Sequence, residues 1–188
     1  DLIYGLPEQS EEDWRAQLEE IILYAPSHLS CYQLTIEPGT QFYTRHKKGE
    51  RLTGDADNIA DLYLLTETIL EEKGLSAYEI SNYAKQGEAS QHNLNYWQTG
   101  NWLGIGPGAH GRLTTKNGRY NRINRRSPSG WLESINTAQG GMDIDALEKP
   151  EDYFNEYWMM GLRLTSGVKW PETGKFGNTA LQLNLKWL

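Results

Sequence analysis

Cysteine is nearly missing from this chain: Cys31 is the only one among 188 residues. A lone thiol closes no internal disulfide, which argues against a stapled secreted fold and for a reducing compartment. It also cannot hold an iron–sulfur cluster, which needs several thiolates. No apolar run reaches the roughly 18 residues that a membrane helix requires, and no basic-then-apolar leader opens the chain. These absences predict a soluble, cytoplasmic protein with no membrane span. Histidine is sparse, and His28, His46, His92 and His110 are too far apart for metal-ligand spacing. No Ser/His/Asp arrangement, Walker-type loop, internal repeat or low-complexity tract is present. Positive charge is in deficit: 18 basic residues against 25 acidic give a net charge of −7. That balance argues against broad nucleic-acid or membrane-surface binding.

The length suffices for one sizeable core and a small appendage. The chain opens on Asp1 inside an apolar run and reads as a piece of a longer protein. Asp1 to Gly5 reads as the end of a buried strand, punctuated by Gly5 and Pro7. Ser10 and Asp13 resemble a capping box, followed by Trp14, Leu18, Ile21 and Ile22 at helical spacing. The order repeats: His28 to Ile36 reads as a strand, and Asp57 to Lys73 as a helix ended by Gly74. Ala77 to Ser81 supplies a third strand. Such alternation predicts βα units in a parallel sheet, with ligands beyond the strands' carboxyl ends. Asp1, Glu37 and Glu79 sit at or near strand ends, placed either to bind a polar ligand or to cap a neighbouring helix.

Further along, Asn117-Gly118 reads as a two-residue hairpin turn. From Arg112 to Arg126 there are six basic residues (Arg112, Lys116, Arg119, Arg122, Arg125, Arg126) and no acidic one. This basic hairpin is either a solvated face, a partner for carboxylates, or an RNA contact with Tyr120 as its interleaved ring. A helix is expected around Gly130 to Thr137. Another begins near Pro150, and its aromatic residues from Tyr153 to Trp158 read as core.

The densest chemistry lies between Tyr78 and Gly111. HNLNYW, from His92 to Trp97, gathers an imidazole, a carboxamide and two rings within six residues. Imidazole ligates heme iron and aromatic faces pack on a porphyrin, so His92 is either an axial ligand in a loop or a satisfied surface histidine. GIGPGAHG, from Gly104 to Gly111, permits close backbone approach to a ligand, or else a tight crossing between elements. It makes a poor dinucleotide fingerprint, because Ala109 replaces the third glycine and Pro107 removes a donor.

DLIYGLPEQS, HLSCYQLTIEPGT, YEISNYA, HNLNYW and GIGPGAHG, in that order, resemble the HemW heme chaperones and the related oxygen-independent coproporphyrinogen III oxidases. The likeness covers Asp1 to about Gly111 and continues more loosely through Asp152 to Gly167. It implies an α/β fold: the C-terminal part of a radical S-adenosylmethionine (SAM) barrel of TIM type, partial, with parallel strands and flanking helices. A hairpin and the start of a small helical C-terminal domain would follow. The implied divisions are 1–111 for the barrel portion with the heme box, 112–149 for the hairpin and connecting helix, and 150–188 for the truncated closing domain. The resemblance implies heme bound by His92, Asn93, Tyr96 and Trp97, with His92 as the candidate iron ligand. It implies SAM contacts at Asp1, Thr35 and His110, and with heme at the box the basic hairpin is expected to face the propionates through Arg112, Arg119 and Arg122. The [4Fe–4S] cluster belongs to the part of the family lying ahead of these motifs, so no catalytic residue is expected here. Heme and client hemoproteins are the implied partners, and no nucleic acid is expected. Two functions follow from the family: heme delivery, or radical decarboxylation of coproporphyrinogen III. A radical-SAM tRNA-modifying enzyme is disfavoured by the acidic net charge. Glu8 stands where the family usually has glycine, Cys31 where it has an aliphatic residue, and the stretch after Trp170 departs from the family.

Overall fold

A computed structural model describes residues 1–138 and 140–171. The departure expected in the closing stretch therefore lies mostly outside the described residues. The chain forms two compact units, Asp1–Ser90 and the residues from Gln91 onward.

The first unit is a mixed sheet with helices on one face. Strand β1 (Leu2–Tyr4) leads to helix α1 (Glu11–Ile22), whose start is the expected capping box: Ser10 Oγ accepts from Asp13 N, and the Asp13 carboxylate accepts from Ser10 N. Strand β2 (His28–Gln33), a short helix α2 (Gln41–Lys47) and helix α3 (Ala56–Glu72) follow. Asp55 caps α3, and Gly74, with φ +74°, takes the left-handed turn after it. Strands β3 (Ser76–Glu79) and β4 (Asn82–Ala84) complete the unit. Alternate residues explain the packing: Leu2, Tyr4, Leu29, Cys31 and Tyr83 join Trp14, Leu18, Leu62, Ile69 and Leu70 in one core. Burial pushes the Cys31 thiol up to about 12, so it is a hydrophobic filler rather than a nucleophile.

The expected all-parallel sheet is corrected. Strands β1 and β2 do pair in parallel, Leu2 opposite Cys31 and Tyr4 opposite Gln33. The order, however, is β1-β2-β4-β3, with β4 antiparallel to both of its neighbours. The cause is local. Ile80 and Ser81 make a tight turn, and the fully buried Glu79 carboxylate holds it by accepting from Ser81 N at 3.0 Å and from the Asn82 amide. Asn82 Oδ1 in turn accepts from Ser30 Oγ at 2.6 Å, locking β4 onto β2. Strand β3 still runs in the direction of β2, one strand removed. Glu79 is thus a turn-holding residue.

Glu8 has φ +59°, a left-handed conformation that costs a residue with a Cβ about 1–2 kcal/mol. The usual glycine at this place is therefore conformational. Glu8→Gly should stabilise the protein by roughly 0.5–1 kcal/mol, after the extra freedom of glycine in the unfolded chain is deducted. Urea titration measures it, and a destabilised variant would refute the strain argument.

The second unit begins with helix α4 (Gln91–Trp97) and continues with strands β5 (His110–Thr115) and β6 (Gly118–Asn124), helix α5 (Pro128–Ser134), strand β7 (Met142–Leu147) and helix α6 (Pro150–Gly161). The hairpin turn is Lys116-Asn117, one residue earlier than expected, since Thr115 already pairs with Gly118. Strand β7 makes the expected two-stranded hairpin a three-stranded antiparallel sheet, β5-β6-β7. Phe154 and Tyr157 of α6 are buried core, as their helical spacing indicated. The unit boundary falls at Ser90 instead of Gly111. Hydrogen bonds tie the glycine-rich stretch to the sheet: Trp102 and Arg112 exchange backbone bonds at 2.9 Å, and Asn124 Nδ2 donates to Gly104 O at 3.3 Å and Gly106 O at 2.8 Å.

Candidate functional site

The histidine box is helical rather than a loop. Over Gln91–Trp97 the 3.6-residue period places His92 and Tyr96 on one face and Asn93 and Trp97 on another. His92 is exposed, and its ring meets half-buried Tyr96 edge-to-face, with centroids 4.7 Å apart and planes at 81°. Tyr96 in turn lies 4.5 Å from Trp102. Trp97 points elsewhere: the Arg163 guanidinium stacks 4.4 Å over its ring, and it lines a cavity of about 490 Å³ with Tyr157, Leu164 and Val168. The two rings of the box therefore serve different surroundings.

The helix ends through Thr99, whose φ of +54° is an outlier for a β-branched residue. Its carbonyl accepts from Arg119 Nη1 at 3.0 Å. Arg119 has no side-chain exposure and is the hub of a buried ion cluster. Its Nη2 donates to Glu156 Oε1 at 2.9 Å, its Nη groups reach Gly100 O at 3.3 Å, and Glu148 Oε2 lies 3.6 Å from its Nε. Arg112 Nε is shared by Glu148 at 2.9 Å and Glu156 at 3.0 Å. Both guanidinium groups lie over the Trp102 ring, 5.7 Å away for Arg112 and 5.4 Å for Arg119. Burial, and next the neighbouring Glu156, raise the Glu148 carboxyl above its ordinary range despite both arginines.

This corrects the expectation that Arg112, Arg119 and Arg122 all face propionates. Arg112 and Arg119 are committed to internal carboxylates, and a buried guanidinium does not exchange such partners cheaply. Arg122 differs. It pairs with Asp145 in an exposed bidentate contact of 2.9 and 3.2 Å, and it lines a cavity of about 310 Å³ with Leu103, Ile105, Trp131 and Met142.

GIGPGAHG resolves as a crossing. A Cβ on Gly104 would stand 2.5 Å from His110 O, so only glycine lets the two backbones pass. The residues expected to contact SAM are spread along the chain. Asp1 precedes β1 while Thr35 follows β2, and the parallel register puts them at opposite ends of the pair, on the order of 15 Å apart. His110, exposed at the start of β5, belongs to the other unit. Among the described residues no cluster of His, Cys, Asp or Glu could hold a metal, and no helix is long and apolar enough to cross a membrane.

Comparison with known proteins adds the remaining observation. No family model matches the chain. A mouse protein named radical S-adenosyl methionine domain-containing protein 1, mitochondrial, is 39% identical over 173 residues, which is 89% of this chain and 39% of that protein. The heme chaperone HemW of Escherichia coli K12 is 41% identical over 155 residues, 82% of this chain and 40% of HemW. The HemW of Synechocystis is 36% identical over 188 residues, 95% of this chain and 43% of the relative. The chain belongs to the HemW-like radical SAM family. It spans about two fifths of the length of these relatives. Among solved structures, the coproporphyrinogen III oxidase HemN of E. coli, described as a radical SAM enzyme, superposes with a TM-score of 0.67 over 87% of this chain and 39% of its own, at 16% identity. That likeness is one of fold.

Within this HemW-like segment, sequence reasoning singled out His92 and Tyr96, which the structure brings together, and missed Trp102, Glu148 and Glu156. Trp102 carried a signal, a third ring shortly after the box. The two glutamates carried none, because they reach the hairpin from 29 and 37 residues beyond Arg119.

Proposed function

We propose that this segment holds heme as cargo, with the His92 imidazole as an axial ligand to iron, for delivery to client hemoproteins. The observation that carries the reading is an exposed histidine whose ring is fixed from behind by Tyr96. An imidazole that is reachable yet ordered loses little freedom on ligation. Tyr96 packs at the ring edge. Asn93 and Trp97, on a different helix face, shape the box rather than lie on the tetrapyrrole beside His92. Arg122 is the arginine suited to a propionate, because an exposed ion pair is worth only about 0–1 kcal/mol and Asp145 is easily exchanged for another carboxylate.

The sheet of the first unit also supports a barrel role. Helices cover one face, while Ile3 and Tyr32 stand exposed on the other, beside the Ser30–Asn82–Glu79 network. We read this as one side of the radical SAM barrel of the longer relatives. A [4Fe–4S] cluster would be held by other parts of such a protein, since Cys31 is buried, and Asp1 and Thr35 would contact SAM together with those parts.

Titration of the protein with ferric heme tests the cargo reading. His92→Ala should weaken binding at least about tenfold, or 1.4 kcal/mol, and shift the Soret band. An unchanged spectrum and affinity would remove His92 from the iron. Sustained anaerobic decarboxylation of coproporphyrinogen III by the whole protein would favour the enzyme instead.

A further inference from the structure

We propose that Trp102 is a positioning residue of the histidine box, holding Tyr96 and, through it, the His92 imidazole. The inference rests on the heme reading for its functional meaning but not for its geometry. Three observations converge on this side chain. Its ring lies 4.5 Å from Tyr96, which lies 4.7 Å from His92, so the three rings form an unbroken series. Its backbone is fixed to β5 by the paired bonds with Arg112 at 2.9 Å. Its loop is tied back to α4, since Asn95 Nδ2 donates to Asn101 O at 3.0 Å and Gly100 N donates to Asn95 O at 2.7 Å.

The same ring also meets charge. Arg112 and Arg119 both lie over it, and both are held by Glu148 and Glu156. Cations over an indole face are attracted to its π density, most strongly when desolvated. Two guanidinium groups that carboxylates hold in place restrain the ring that meets Tyr96. The ion cluster thus acts on the exposed histidine indirectly, through the Trp102 and Tyr96 rings. An imidazole on a seven-residue helix would otherwise sample several rotamers.

Ligand-free NMR of the histidine ring protons tests this directly. In the wild type the His92 signals should be displaced from the free-histidine position by the Tyr96 ring current. Trp102→Ala should remove most of that displacement, and Trp102→Phe should keep it. In ferric heme titrations, Trp102→Ala should weaken binding about tenfold and give a mixed Soret band, with Trp102→Phe restoring the wild-type spectrum. Unaltered His92 signals in Trp102→Ala would overturn the proposal even if the variant were less stable. A wild type that binds no heme would instead defeat the heme reading and leave the ring-proton result to decide the positioning role. Both alleles would be checked by circular dichroism. Should Trp102→Ala fail to fold, Trp102→Leu replaces it, with the same His92 signals deciding.

Discussion

Arg119→Met should cost about 3–5 kcal/mol of stability in the second unit, the range for removing one partner from a buried ion pair. Arg119 is 1% exposed and satisfies Thr99 O, Gly100 O, Thr114 Oγ1 and Glu156 at once. Methionine fills much of the volume but leaves two carboxylates to share Arg112 alone, and it leaves two loop carbonyls without their donor. Arg122→Met is the control: its pair with Asp145 is more than a third exposed on both sides, so the loss should be within about 1 kcal/mol. Hydrogen exchange of β5 and β6 amides over a urea series measures both. Equal losses would mean that the cluster is no more than a surface feature. The pH dependence adds a sign. A carboxyl raised in the folded state, as Glu148 is, favours folding below the ordinary carboxylate range. That contribution is lost as pH rises through the raised value. Glu148→Gln should therefore flatten the fall in stability across that window.

Trp14→Ala should cost a similar 3–5 kcal/mol in the first unit. The indole is fully buried between α1, α3 and β1, its ring 5.5 Å from Tyr4. Its Nε1–H donates to Thr66 Oγ1 at 2.7 Å, and Thr66 Oγ1 donates to Leu62 O at 2.7 Å. Alanine opens a cavity and strands the threonine hydroxyl as a donor-only group. Thr66→Val, which keeps the shape and orphans the indole N–H, should cost about 1–3 kcal/mol. Urea titration read by exchange of α1 and α3 amides separates the two. A Trp14→Ala loss below 1 kcal/mol would show that the core relaxes into the space, contrary to the close packing described.

The family assignment and the histidine box were both readable from ordered motifs, yet the box was misread as a loop. Asparagine at 93 and 95 is a weak helix former that favours turns, so local propensity pointed away from the helix that packing on α6 sustains. The glycine-rich stretch left two readings open, and the approach of Gly104 to the His110 backbone decides for the crossing. The SAM residues are a different case. Residue-by-residue transfer from a family says which positions matter in the whole protein, whereas Asp1 and Thr35 are separated by a strand register that no motif encodes.

What the amino-acid order settled alone was local: the Ser10 capping box, the α3 helix with its Gly74 stop, the hairpin within a residue, and the apolar face of α6. Each is dictated by side chains within a turn or two of the backbone they act on. Only the folded chain decided that β4 would run antiparallel between β2 and β3, and that two of the hairpin's arginines would be spent on Glu148 and Glu156. Strand partners and buried charge partners are chosen by long-range desolvation and register, which depend on residues brought near only after the chain has closed.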